Sequence, residues 1–119
     1  MKSAVVVAFA LIALPSTSEA QVVQTRSGPV RGLPSVDPSI VAFKGIPYAP
    51  PPVGDLRWKP PQEVQPWDEV RDCNEYGSIS LQRKNWEEGG QSEDCLYLNV
   101  WTKQGWGDEK RPVTVWIHG

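Results

Sequence analysis

Between Gly45 and Trp67 the chain carries seven prolines, Pro47, Pro50, Pro51, Pro52, Pro60, Pro61 and Pro66. Each fixes φ at about −65° and removes a backbone donor, so neither a helix nor a central strand can run through the segment. A flexible linker would be polar and plain. Here Phe43, Tyr48, Trp58 and Trp67 are spaced beside and through the prolines, which predicts an ordered, extended strap packing its rings onto a core.

Around the strap the pattern is that of β-structure. Val22 to Thr25 and Val30 to Gly32 flank Ser27-Gly28-Pro29, a hairpin signature. Ile40 to Lys44 is rich in β-branched and aromatic residues and predicts a further strand. Residues 74 to 92, with Gly77, Gly89, Gly90 and Trp86, read as a loop. In Leu96 to Thr102 the side chains alternate, Leu96, Leu98 and Val100 against Tyr97, Asn99 and Trp101, the period of a strand. Val113 to Ile117 is almost wholly apolar, as expected of a strand buried on both faces, and the charged, glycine-containing turn before it predicts that the two are sheet neighbours. Residues 113 to 119 place that strand directly before His118-Gly119.

The N-terminus reads as a secretory leader. Met1-Lys2-Ser3 gives a positive start, Ala4 to Leu14 an apolar run, and Ser18-Glu19-Ala20 a small-x-small cleavage site, so residues 1 to 20 are expected to be removed and the mature chain to begin at Gln21. The apolar run is too short for a bilayer span and Pro15 ends it, so no membrane span is expected after cleavage. The charges, 12 basic and 14 acidic residues spread along the chain, form no basic stripe, which argues against a nucleic-acid partner. Export would place Cys73 and Cys95 in an oxidising compartment, where an even pair is usually bridged; two buried free thiols are the alternative.

Taken in order, Gly28-Pro-Val-Arg-Gly32, Phe43-Lys-Gly-Ile-Pro-Tyr-Ala49, Pro51-Pro-Val-Gly-Asp-Leu-Arg-Trp58 with Pro60-Pro61, Trp67, Glu93-Asp-Cys-Leu-Tyr-Leu-Asn-Val-Trp101 and the terminal Trp116-Ile-His-Gly119 resemble the type-B carboxylesterase and cholinesterase family. The resemblance covers nearly all of residues 22 to 119. It implies an α/β-hydrolase fold, of which this chain would be the β-rich N-terminal portion, residues 21 to 119, truncated at the oxyanion loop. It also implies a secreted serine ester hydrolase acting on small-molecule carboxylic esters through an acyl-enzyme intermediate, without cofactor or metal. The nucleophile, acid and base would follow Gly119, because the family order is Ser, acid, His. The family commonly places its first bridge cysteine where this chain has Ser80, seven residues after Cys73, so Cys73 would pair with Cys95 by a shifted path or stay free.

The resemblance puts His118 and Gly119 at the start of the oxyanion loop, whose glycine N–H groups face developing negative charge in such enzymes. His118 is the sole histidine; its position fits a structural strand-end role better than a triad base, which needs a serine and a carboxylate in reach. Glu93 and Asp94 are adjacent and on a strand would point to opposite faces, so the expectation is an ion pair beneath the strap, with Arg57, rather than paired acid-base work. Trp86 lies nine positions before Cys95, a distance similar to that of the cholinesterase tryptophan that stacks on quaternary ammonium, but its neighbours differ and favour a gorge-rim or packing role. The rival reading is a catalytically inactive esterase-fold adhesion protein, since fold is shared and function lives in the site.

Overall fold

The computed structural model describes residues 19–83, 90–105, 107 and 109–117. Five strands carry the architecture: β1 (Gln21–Gln24), β2 (Pro29–Pro34), β3 (Ile40–Pro47), β4 (Arg71–Asp72) and β5 (Tyr97–Lys103), with one 3₁₀ turn at Gly54–Leu56. The sheet order is β1-β2-β3-β5, with β4 lying parallel to β2.

The hairpin expected around Gly28 forms. Its register runs from Gln21 opposite Gly32 to Gln24 opposite Pro29. Thr25 organises the turn: its Oγ1 donates to the Gly28 carbonyl at 2.6 Å and accepts from the Ser27 and Gly28 N–H groups at 3.2 Å. Gly28 is required there, since its φ is +150° and an added Cβ would meet the Trp67 ring. After β2, Asp37 folds the next turn by accepting from both the N–H and the hydroxyl of Ser39, at 2.9 and 2.7 Å. Those bonds favour the ionised carboxyl and hold it below its ordinary value.

β3 is the centre of the molecule. Its early residues pair with Leu33 and Pro34 of β2 and its whole length runs antiparallel to β5, with a register shift between Phe43 and Ile46. Gly45 sits in that bulge at φ +69°. The bulge turns two backbone donors out of the ladder. Lys44 N–H reaches the Cys73 carbonyl at 2.8 Å and Gly45 N–H reaches Asn99 Oδ1 at 2.9 Å.

The core is Val30, Val41, Phe43 and Cys73, with Ile46 and Trp67 packed against it. The proline segment is extended apart from the 3₁₀ turn, as expected. Its ends are fixed: Trp67 N–H donates to the Ser27 carbonyl at 2.8 Å and its indole N–H to the Pro29 carbonyl at 3.0 Å. The middle differs from expectation. Trp58 is 94% exposed and takes a left-handed φ of +60°, so of the strap's rings only those at its two ends, Phe43 and Trp67, reach the core.

The last strand also differs. Val113, Val115, Trp116 and Ile117 are exposed and unpaired. After β5, Gln104 N–H bonds the Ser39 carbonyl at 2.7 Å, and Gly107 lines a groove with residues of β1, β2, β3 and β5. A five-residue segment apolar on both sides then finds no cover among the described residues.

Candidate functional site

Of the residues the sequence singles out for function, His118, Gly119 and Trp86 lie outside the described residues, as does most of the leader. The other residues that the sequence singles out, Arg57, Cys73, Glu93, Asp94 and Cys95, lie in described elements: the strap, the base of the loop after β4, and the segment entering β5.

Arg57, just past the 3₁₀ turn, bonds Glu93 through Nη2 at 2.9 Å. The expected partner is thus found, but the pair is not buried beneath the strap, the side chains being 57% and 39% exposed. Such a pair fixes geometry more than it stabilises. The adjacent carboxylate faces elsewhere: Asp94 accepts from the Tyr97 hydroxyl, and burial together with that bond pushes the Tyr97 phenol above its ordinary value. Glu93 and Asp94 therefore serve separate partners, although both lie before β5 and not on a strand. The Tyr97 ring also covers Gly77, where any Cβ would collide with it.

The loop after β4 is tied at its base by backbone. Ile79 and Gln91 form a parallel bridge, Ile79 N–H donates to the Gly90 carbonyl at 2.9 Å, and Ser92 N–H returns to Ile79 at 3.0 Å. Gln91 Oε1 accepts from the Gln82 N–H at 3.0 Å. The expected Cys73–Cys95 bridge is not formed; both thiols are free. Cys73 is fixed beside Lys44, and the residue after Cys95 is fixed beside Tyr48 by a 3.1 Å bond from Tyr48 N–H to the Leu96 carbonyl. These anchor points lie on opposite sides of the β3 bulge, so the backbone bonds that place the two cysteines hold them against different residues, whereas a disulfide needs their Cα atoms within about 7 Å.

Neither thiol is primed as a nucleophile. Burial pushes Cys73 up, against a smaller opposing effect of Arg71; burial and the charges of Asp94 and Glu93 push Cys95 up. Reactive cysteines need the reverse. Two contacts escaped the sequence reading: the Arg31–Asp72 pair at 2.6 Å, which joins directly opposed residues of β2 and β4, and the Asn99 support of the bulge. A glycine inside the Phe43-Lys-Gly-Ile strand pattern was the available signal for the latter.

Solved structures share this arrangement. A thermophilic PNB esterase superposes with a TM-score of 0.63 at 39% identity, over 70% of this chain and 18% of that one, and a carboxylesterase of Geobacillus stearothermophilus with 0.60 at 41%, over 68% and 16%. The fold is thus that of the β-rich part of an α/β-hydrolase. The chain belongs to the carboxylesterase family, whose sequence profile matches residues 19–119. Its relatives include a fumonisin B1 esterase of Sphingopyxis macrogoltabida, 41% identical over 80% of this chain and 18% of that protein. The acetylcholinesterase of Electrophorus electricus is 37% identical over 93% and 20%, and the para-nitrobenzyl esterase of Bacillus subtilis 42% over 83% and 21%. The chain accordingly spans about a fifth of the length of these relatives.

Proposed function

We propose that the full-length protein is a secreted carboxylic ester hydrolase that works through a serine acyl-enzyme, with residues 21 to 119 supplying scaffold, part of the gorge wall and the entrance to the oxyanion loop at His118-Gly119. The observation that carries this reading is the family match over residues 19–119, joined to relatives whose names span acetylcholine, para-nitrobenzyl and fumonisin esters. What those substrates have in common is the carboxylic ester, and the proposal is kept at that class. In such a mechanism a serine oxygen attacks the ester carbonyl, a histidine moves the proton to the leaving alcohol, and glycine N–H groups hold the oxyanion. The leader pattern supports secretion, and the divided roles of Glu93 and Asp94 support a structural rather than acid-base part for this pair.

The test is turnover of naphthyl and para-nitrophenyl esters by the full-length protein recovered from the medium. Activity abolished stoichiometrically by a serine-directed organophosphate is the expected result. Absence of turnover by a folded, secreted protein would replace this reading with the non-catalytic adhesion role. Acetylthiocholine in the same assay examines Trp86: turnover negligible beside the naphthyl esters is expected of a rim residue.

A further inference from the structure

We infer that the Trp58 indole docks, in the full-length protein, into an apolar seat made by the chain that follows Gly119. The inference rests on the reading of this chain as part of a longer hydrolase and adds a contact by which the strap is held to the rest of it. It starts from a residue whose conformation does not suit its type. The 3₁₀ turn at Gly54–Leu56 leads directly into a second turn over residues 56–59, closed by Lys59 N–H to the Leu56 carbonyl at 3.2 Å. Arg57 at φ −62° and ψ 134° and Trp58 at φ +60° give it the type II pattern, whose third position calls for glycine or asparagine. A bulky tryptophan there is a left-handed outlier under strain.

Nothing among the described residues offsets that strain. The Trp58 side chain is 94% exposed, so the turn carries both a backbone cost and a large apolar surface left in water. A contact that buries the indole removes the second cost and outweighs the first. The turn is also built to present the ring. Arg57 Nη2 holds Glu93 at 2.9 Å, Leu56 and Arg57 N–H groups close onto the Val53 and Gly54 carbonyls at 3.0 and 3.2 Å, and Pro60-Pro61 stiffen the exit. Little backbone freedom remains to be lost on docking.

Size and charge select the protein's own chain as the occupant. The chain spans about a fifth of the length of its relatives, so most of a protein of their length lies beyond it and is available as cover. A single indole offers about 200 Å², well short of the roughly 1,200 Å² that a stable association between separate molecules buries. A seat within one chain has no such minimum. Asp55, Arg57, Lys59 and Glu63 alternate in sign along the strap, and Arg57 is paired with Glu93. No cationic patch is left to draw the ring onto an anionic lipid surface.

Hydroxyl-radical footprinting of the purified, lipid-free full-length protein, read by peptide mapping, tests the contact directly. Trp58 is expected to be oxidised as slowly as Trp67, the core-packed ring of the same strap. Oxidation at the rate of the unfolded protein overturns the inference, as does protection that appears only at high protein concentration or on adding phosphatidylcholine–phosphatidylserine vesicles. Trp58→Gly and Trp58→Asn give a second reading through its sign. Both residues suit the left-handed turn, so each raises the unfolding midpoint if the indole is exposed and lowers it if the indole is seated. A lower midpoint for both, largely restored in Trp58→Phe, is expected; an unchanged or higher one overturns the inference. Where a variant is not recovered, the wild-type footprint decides. Ester turnover on the same sample keeps the two readings apart: protection without turnover leaves the seat standing and overturns the hydrolase, and exposure with full turnover does the reverse.

Discussion

Gly45 concentrates the most demands on one residue. It holds φ +69°, its N–H is committed to Asn99 at 2.9 Å, and a Cβ there would come within 2.7 Å of the Glu75 carbonyl. Gly45→Ala should therefore lower stability by about 1–3 kcal/mol, the range for a left-handed non-glycine residue, with backbone crowding added; a denaturant midpoint left unchanged would refute the bulge argument. Cys73 gives a second test. Its thiol is 1% exposed in an apolar cluster, so Cys73→Ser should cost about 1–3 kcal/mol through an unsatisfied hydroxyl. Arg57→Ala, by contrast, should cost at most about 1 kcal/mol, because both partners of the pair are open to solvent; chemical denaturation of the three variants side by side orders them.

At the scale of elements, what was legible followed local chemistry. The hairpin declared itself through Ser27-Gly28-Pro29, β5 through its alternation, and the strap through its prolines, because each signal is set by neighbours in sequence. Trp58 and Val113 to Ile117 were misjudged for the opposite reason. Their apolar character says that they suit burial, while the cover must come from distant chain, and no local rule reveals whether a segment meets it. The cysteines failed similarly: spacing allowed a bridge, but their anchorage at opposite ends of the β3 bulge is a long-range fact. His118, Gly119 and Trp86 rest on the family resemblance alone. Trp67 shows how the strap is held, by packing and by its indole bond to the Pro29 carbonyl. Trp67→Phe should keep most of the packing and lose about 1 kcal/mol with that bond, whereas Trp67→Ala should cost about 3 kcal/mol; a Phe variant that unfolds at the wild-type temperature would show that the bond contributes nothing, and equal losses that the packing does not.

For the whole molecule the charged and titrating groups set a direction with pH. Cys73, Cys95 and Tyr97 are all pushed above their ordinary values, chiefly by burial. A raised acid is neutral in the folded chain at a pH where the unfolded chain has begun to ionise. Their contribution is complete below the ordinary thiol and phenol values and is lost as pH rises through the folded-state ones. Thermal unfolding of the full-length protein should therefore fall to lower temperature on moving into alkaline solution, and Cys73→Ala should flatten that slope; an identical slope would show that Cys73 takes no part.

The base of the 79–92 loop has a consequence for how this part of the molecule meets a reductant. It is tied by amides from Ile79, Ser92 and Gln82, bonds that carry no sulfur and are indifferent to the redox state of the medium.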